Sequence, residues 1–481
     1  MKRGIGKFSA LLILLAGQQV MAIQQEARSA FDPSVFDNSV EKLREEAGTP
    51  GLAAGVLRDG QLLRLKGYGV AGSDGQPVTA QTAFQIGSIT KSFVALVILQ
   101  MASEGKLELD DPVVRHVPAF RTASKTQSHQ ITIHHLVTHR SGLTTLDGNS
   151  LKAEEPGSSG PEAAVAGLAD VQLFAEPGTT FQYSNANYVL LSHLIEVLDE
   201  RTFERSLQAR IFTPLSMTNS FVSVPPSNKI SLANGYRLWF GVARAWHPEA
   251  DTVADRRMIG AGGIWTSIED LAHYVEAVHT RDPRIVPVGA DRLFAIELFD
   301  KEVGYAYGWF ADGTGGETVF EHSGFTPGFL TLATIVPATG EVVVVLTNMS
   351  GLGQGDLPRA VTHAALGWEP ISAAPALGAR IAIWSAVSAP LGLVLLLYRT
   401  GHSLFFRRQP MRPWVRALNV GVVLGLIAGV YVVFVGFQAM VGVSFETGFA
   451  FYPDFTLTTV VTMALALVLA VGRLLLVIRS G

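Results

Sequence analysis

The 481-residue sequence predicts an α+β domain followed by three membrane-spanning helices. Three observations carry that expectation. Strand-rich runs around turn signals occur both near the start, at residues 52–68, and after His322, at residues 330–347. Helical patterns fill the interval, so one sheet assembled from both ends would enclose an inserted helical region. Beyond residue 380, three apolar runs of roughly bilayer-spanning length follow one another.

Taken in order, the chain opens with Lys2, Arg3 and Lys7, then an apolar stretch Phe8–Gly17, then small residues at Val20-Met-Ala22. This reads as a signal peptide over 1–22, an uncleaved anchor giving the same orientation. An exported domain is expected over 23–370 and a membrane domain over 371–481. The formal net charge of −4 gives no electrostatic footprint for nucleic acid, and without cysteine no disulfide or thiolate metal site can form. No cofactor is expected. Val35–Glu46 has a helical pattern, and Leu52–Arg58 and Leu62–Tyr68 flank Asp59-Gly60, a two-residue hairpin signal.

Residues 85–93, Gln-Ile-Gly-Ser-Ile-Thr-Lys-Ser-Phe, place Ser88 and Lys91 three apart where a long apolar run begins. A serine hydroxyl needs a neighbour to take its proton, and residues at i and i+3 share a helix face. In dry surroundings a lysine loses its charge more readily and becomes a usable base. Ser39-Val-Glu-Lys42 has the same spacing in a polar stretch with nothing to recommend it. The run Phe93–Met101 is apolar on nearly every side, which predicts a buried helix ending near Gly105. Ser88 would then stand at that helix's N-terminus, where free N–H groups favour a developing anion.

Pro177-Gly178 marks a turn before Tyr183-Ser184-Asn185, and a periodic apolar segment follows over Val189–Leu198. A phenol near an ammonium can lose its proton more easily and shuttle it between nucleophile and leaving group. Asn185 can donate to a substrate carbonyl and accept from an ammonium. Further on, Glu321-His322-Ser323-Gly324-Phe325 precedes two β-rich runs, Leu330–Val336 and Val342–Thr347, around the Pro337–Gly340 turn. Gly324 lets a substrate backbone approach the strand edge. The Phe325 N–H would be the second oxyanion donor beside that of Ser88. His134, His135 and His139 lack a His-Glu-x-x-His pattern and an obvious third ligand, so no metal is expected, and Arg256-Arg257 is read as a solvated pair.

Together and in this order, Ser-x-x-Lys, Tyr-x-Asn and His-x-Gly resemble the serine β-lactamase and penicillin-binding-protein superfamily. Tyr183-Ser-Asn185 and His322-Ser-Gly324 look like its class C β-lactamase, D-alanyl-D-peptidase and esterase branch. His135-Leu-Val-Thr-His139-Arg-Ser-Gly142-Leu143 is similar to that branch's "HLLTHTSGL" segment. Gly105–Val113 and Gly262–Leu271 match two further segments. The resemblance covers about residues 34–350. It implies a β-lactamase-like antiparallel sheet covered by helices beside an all-helical subdomain, with Gly157–Gly160 in a loop shaping the cleft. It implies Ser88, Lys91 and Tyr183 as catalytic residues, and Asn185, His322, Ser323 and Gly324 as substrate-binding ones. His322 stands where many relatives carry lysine, which lowers the expectation of β-lactam hydrolysis.

The apolar runs lie at about 381–398, 417–441 and 456–478. Arg399, Arg407, Arg408, Arg412 and Arg416 fall between the first two, whereas Glu446 and Asp454 lie between the second and third; Arg473 and Arg479 come last. The positive-inside rule puts the first connection and the C-terminus in the cytoplasm and residues 23–370 outside, with the domain held at the cytoplasmic (inner) membrane. An exported domain of this type followed by three spans resembles the membrane-bound prodrug-activating peptidases of the colibactin-peptidase type, although Phe325-Thr326 replace the amide-bearing residues found there. The expected function is a membrane-anchored serine hydrolase cleaving the amide of a small acylated peptide or D-amino-acid substrate. An esterase, a D-alanyl-D-peptidase or a β-lactamase is the alternative within the superfamily. An acylation-based membrane sensor or inactive binding module is the alternative of another class. The sequence leaves the oligomeric state open.

Overall fold

A computed structural model describes residues 31–150, 160–222, 230–246, 257–351, 356–374, 377–406, 411–441, 448 and 452–479. The expected signal peptide, most of the 157–160 loop, Arg256, Arg407, Arg408 and Glu446 lie outside the described residues.

The first helix, α1 (Pro33–Ala47), starts where Asp32 accepts from the N–H groups of Ser34 and Val35, and it stops at left-handed Gly48. Strands β1 (Gly51–Arg58) and β2 (Gln61–Gly69) follow as a hairpin. Asp59 and Gly60 both take positive φ, 50° and 78°. That is the turn whose twist matches the strands it joins. After the helical region come β3 (Glu297–Leu298), β4 (Val303–Tyr305), β5 (Phe310–Asp312), β6 (Val319–Thr326), β7 (Phe329–Val336) and β8 (Glu341–Thr347). All eight form one antiparallel sheet in the order β2-β1-β8-β7-β6-β5-β4-β3. The β1–β8 pairing, with Leu52 opposite Thr347, closes the sheet from the two ends of the domain.

One face of the sheet buries Phe36 and Val40 of α1 against Leu52, Val343 and Val345, together with Val361 of α5 (Leu357–Leu366). The other face carries the larger core, built around α2 (Thr90–Ser103), α3 (Asn185–Asp199) and α4 (Ile268–His279). Every residue of α2 from Thr90 to Leu99 is buried, as its uniform apolarity requires. Phe93 stacks on Tyr274 with ring centroids 3.5 Å apart and meets Phe212 edge-on at 6.1 Å. These contacts fix the helix that begins at the candidate site.

At the C-terminal end lie α6 (Leu377–Phe406), α7 (Pro413–Val441) and α8 (Pro453–Arg479). Two helices among the described residues, Pro413–Val435 and Pro453–Arg479, are long and apolar enough to cross a membrane. The stretch expected as the first span is helical within α6, which carries Pro390 in its interior. Arg473 reaches Asn419 at 2.9 Å, tying α8 to α7.

Candidate active site

Ser88 sits one residue earlier in the structure than a helix start would put it. Gly87–Ile89 forms a 3₁₀ turn that runs directly into α2. Gly87 takes a φ of +53°, and a methyl there would come 2.7 Å from the Phe325 nitrogen. Only glycine meets both demands. The turn is held to the sheet by Thr331, whose hydroxyl donates to the Ile86 carbonyl at 2.9 Å.

Lys91 is fully buried one helical turn on, while Ser88 stays partly exposed. The amine nitrogen lies 3.0 Å from Ser88 Oγ, 2.8 Å from Asn185 Oδ1 and 2.8 Å from the Ala261 carbonyl. Burial pushes its pKa well below the usual lysine value. An uncharged amine has two N–H donors and one lone pair. Asn185 and Ala261 can take the two donors, which leaves the lone pair for the Ser88 hydroxyl proton. Three oxygens would equally suit the three N–H groups of an ammonium, and the lowered pKa is what favours the amine.

Asn185 opens α3 and also donates to Asn149 Oδ1 at 2.6 Å, so its amide orientation is set by acceptors on both sides. Tyr183 lies two residues earlier, with its ring centroid 5.0 Å from the Lys91 nitrogen. Its phenol differs from the sequence expectation. Burial raises its pKa above that of an ordinary tyrosine, and a hydrogen bond with Ser88 offsets only part of this. Burial lowers the pKa of the neighbouring lysine as well, which works against an ammonium pulling the proton off. Tyr183 therefore keeps its hydroxyl and can relay a proton without being a standing anion.

Beneath Tyr183 lies His139, its ring centroid 4.4 Å away, in a positive-φ conformation. Its Nδ1 accepts from the Ser184 N–H at 3.2 Å and faces the Asn187 amide at 3.0 Å. Burial keeps its pKa well below the ordinary histidine value. His134 contacts the Tyr307 hydroxyl at 2.9 Å, and His135 completes a capping box with Thr132. The three histidines thus have structural partners, and no group of metal-binding side chains occurs among the described residues.

Strand β6 supplies the opposite wall. Strand β5 pairs with it only as far as Glu321. Beyond that point the edge meets the 86–88 turn, so closely that a methyl at Gly324 would come 1.8 Å from the Ile86 carbonyl. Ser323 is exposed and Phe325 half-exposed. His322 is buried: its Nδ1–H donates to the Ser323 carbonyl at 2.8 Å, and its Nε2 lies 3.2 Å from the Tyr305 hydroxyl. Burial pushes its pKa down to about 3. Both nitrogens are engaged and the ring is neutral, so His322 offers no cation to a substrate carboxylate. The imidazole packs behind Ser323 and against Tyr305.

Sequence reasoning missed Gly87, Tyr305 and the Ala261 carbonyl. Gly87 could have been found from its place before the serine, where a left-handed turn favours glycine. A backbone carbonyl carries no residue-type signal, and Tyr305 lies on a three-residue strand too short for a periodic pattern.

Similar proteins share this arrangement of sheet and helices. The penicillin-binding protein 4 of Amycolatopsis lactamdurans is 27% identical over 336 residues, 66% of this chain and 86% of its own. The octameric penicillin-binding protein homologue from Pyrococcus abyssi superposes with a TM-score of 0.59 at 27% identity, covering 72% of this chain and 80% of its own. The D-amino acid amidase from Ochrobactrum anthropi SV3, at 22% identity, shares the fold with a TM-score of 0.57 over 69% of this chain and 97% of its own. The family model described as Beta-lactamase matches residues 36–366. On that match the chain belongs to the Beta-lactamase family of serine hydrolases, which includes the penicillin-binding proteins.

Proposed function

We propose that the chain is an exported, membrane-anchored hydrolase that cleaves an amide of a small acylated peptide or D-amino-acid derivative through an acyl-enzyme on Ser88. The observation that carries this reading is the 3.0 Å approach of the buried Lys91 amine, whose pKa burial lowers, to the Ser88 hydroxyl. In the first step the Ser88 O–H proton passes to the Lys91 lone pair while Oγ bonds to the substrate carbonyl carbon. The carbonyl oxygen becomes an oxyanion facing the backbone N–H groups of Ser88 and Phe325. The tetrahedral intermediate collapses as its C–N bond breaks, and the departing nitrogen takes a proton from the Tyr183 hydroxyl, which Lys91 replenishes. Water then attacks the ester carbonyl carbon, giving a proton to the same relay; the C–Oγ bond breaks as the relay returns that proton to Ser88 Oγ, and the acid is released.

Ser323 and Asn185 are the side chains placed to hydrogen-bond the substrate amide. The neutral His322 weighs against recognition of a free carboxylate, and so against a D-alanyl-D-peptidase or β-lactamase as the native task. The amidase of the same fold favours an amide over an ester, and prodrug maturation is one setting for such an amide. The carboxylic end of the exported domain leads into helices suited to a bilayer, which favours anchoring with the site outside the cytoplasm.

Fluorophosphonate labelling tests the nucleophile. Ser88→Ala should abolish labelling, and retained labelling at this site would refute the assignment. Turnover of N-acyl D- and L-amino-acid amides against p-nitrophenyl esters then sets the substrate class. A single turnover without product release would point instead to a sensor.

A further inference from the structure

The head of α8 does not stand apart from the exported domain. Tyr452, immediately before α8, stacks on Phe325 with ring centroids 5.8 Å apart and 26° between planes. Two residues on, Asp454 accepts the Phe240 N–H at 2.8 Å. Phe240 is at the tip of the hairpin formed by Gly235–Trp239 and Val242–Trp246, where positive φ at Phe240 and Gly241 makes the tight turn. Asp454 is itself buried, so its end of this bond is shielded from water. The segment leading into α8 is thereby pinned at two points, and one of them is Phe325, whose backbone nitrogen lies beside Gly87 and whose N–H is the proposed second oxyanion donor.

We propose that Tyr452 is a specificity-determining residue, forming with Phe325 an aromatic wall against which an uncharged, apolar group of the substrate lies. Asp454 is the positioning residue that holds this wall in register through Phe240. The inference rests on the Ser88 acyl-enzyme reading. An aromatic pair presents flat apolar surface and favours alkyl or aromatic groups over charged ones. Phe325 contributes its backbone to the oxyanion site and its ring to the wall. A group resting on the wall is therefore coupled in position to the reacting carbonyl.

The test uses the full chain in detergent with p-nitrophenyl acetate, butyrate and octanoate. In Tyr452→Ala, kcat/KM for octanoate should fall about tenfold, mainly through KM, while acetate stays within about twofold. Tyr452→Phe should behave as the wild type. Asp454→Ala should reproduce the Tyr452→Ala pattern, and Asp454→Asn, which keeps a carbonyl acceptor, should restore selectivity. An unchanged octanoate-to-acetate ratio in Tyr452→Ala, or an equal loss on all three esters, overturns the inference while leaving the nucleophile untouched. Absence of any Ser88-dependent hydrolysis or fluorophosphonate labelling in the wild type overturns the functional reading and this inference with it.

Discussion

Replacing Lys91 by methionine should remove a pH-dependent penalty from folding. In the unfolded chain this amine titrates near the ordinary lysine value of 10.5, whereas burial lowers it well below that in the native state. Between the two values the unfolded chain binds one more proton than the folded one. Wild-type stability therefore rises with pH through that window, by about 1.4 kcal/mol per pH unit from this one group. Methionine has no proton to bind, so Lys91→Met lacks the slope. Every other titrating group is common to both proteins and cancels in the difference. Raising the pH from 8.5 to 9.5 should thus stabilise the wild type by about 1.4 kcal/mol relative to the variant. The absolute gap also contains the Asn185 and Ala261 acceptors left without their donors, about 1–3 kcal/mol each, so the slope is the cleaner quantity. The assay is urea unfolding of the detergent-solubilised full chain, followed by tryptophan fluorescence, at both pH values. Parallel stability profiles would mean that the folded protein holds an ammonium at position 91, and the proposed base would be lost.

Tyr183→Phe should keep fluorophosphonate labelling of Ser88 but slow amide turnover by about 10²–10⁴-fold, since the relay to the leaving nitrogen is gone; comparing labelling rate with kcat checks this. Gly324→Ala puts a methyl 1.8 Å from the Ile86 carbonyl and should abolish labelling, whereas Gly315→Ala, which meets nothing within 4 Å, should leave it intact. Asp37 accepts from Arg64, Lys66 and Tyr68. Burial would raise its pKa, but these bonds and the charge of Arg64 hold it at about 2. Its stabilisation is complete above about pH 4 and is lost as pH falls towards 2. Asp37→Asn should cost about 1–2 kcal/mol at pH 6, allowing for partly exposed partners, and the gap should narrow at pH 3 in the same unfolding assay.

The elements legible in the sequence are those whose signal is local. Asp59-Gly60 fixed the first hairpin because two adjacent positive-φ residues admit few side chains, and the 93–101 run marked a buried helix because no face of it is polar. Ser88 and Lys91 could be paired from their spacing together with the apolar run that follows, which Ser39 and Lys42 lack. Their meeting with Asn185 could not, since it depends on how α2 and α3 cross. The protonation of Tyr183 and the burial of His322 were equally hidden. Sequence shows which groups titrate, but the density of packing around them decides which form survives, and that density comes from distant residues such as Tyr305. The docking of Tyr452 on Phe325 joins positions more than a hundred residues apart and leaves no periodic trace.

The trio of oxygens surrounding the Lys91 nitrogen has one more consequence. As an ammonium it would hold three hydrogens, one for each oxygen; as an amine it surrenders only the one shared with Ser88. Neither form asks its cage to rearrange, so the proton can cross outward and back with little reorganisation. A single rigid nest of acceptors could in this way serve both the making and the breaking of the covalent intermediate.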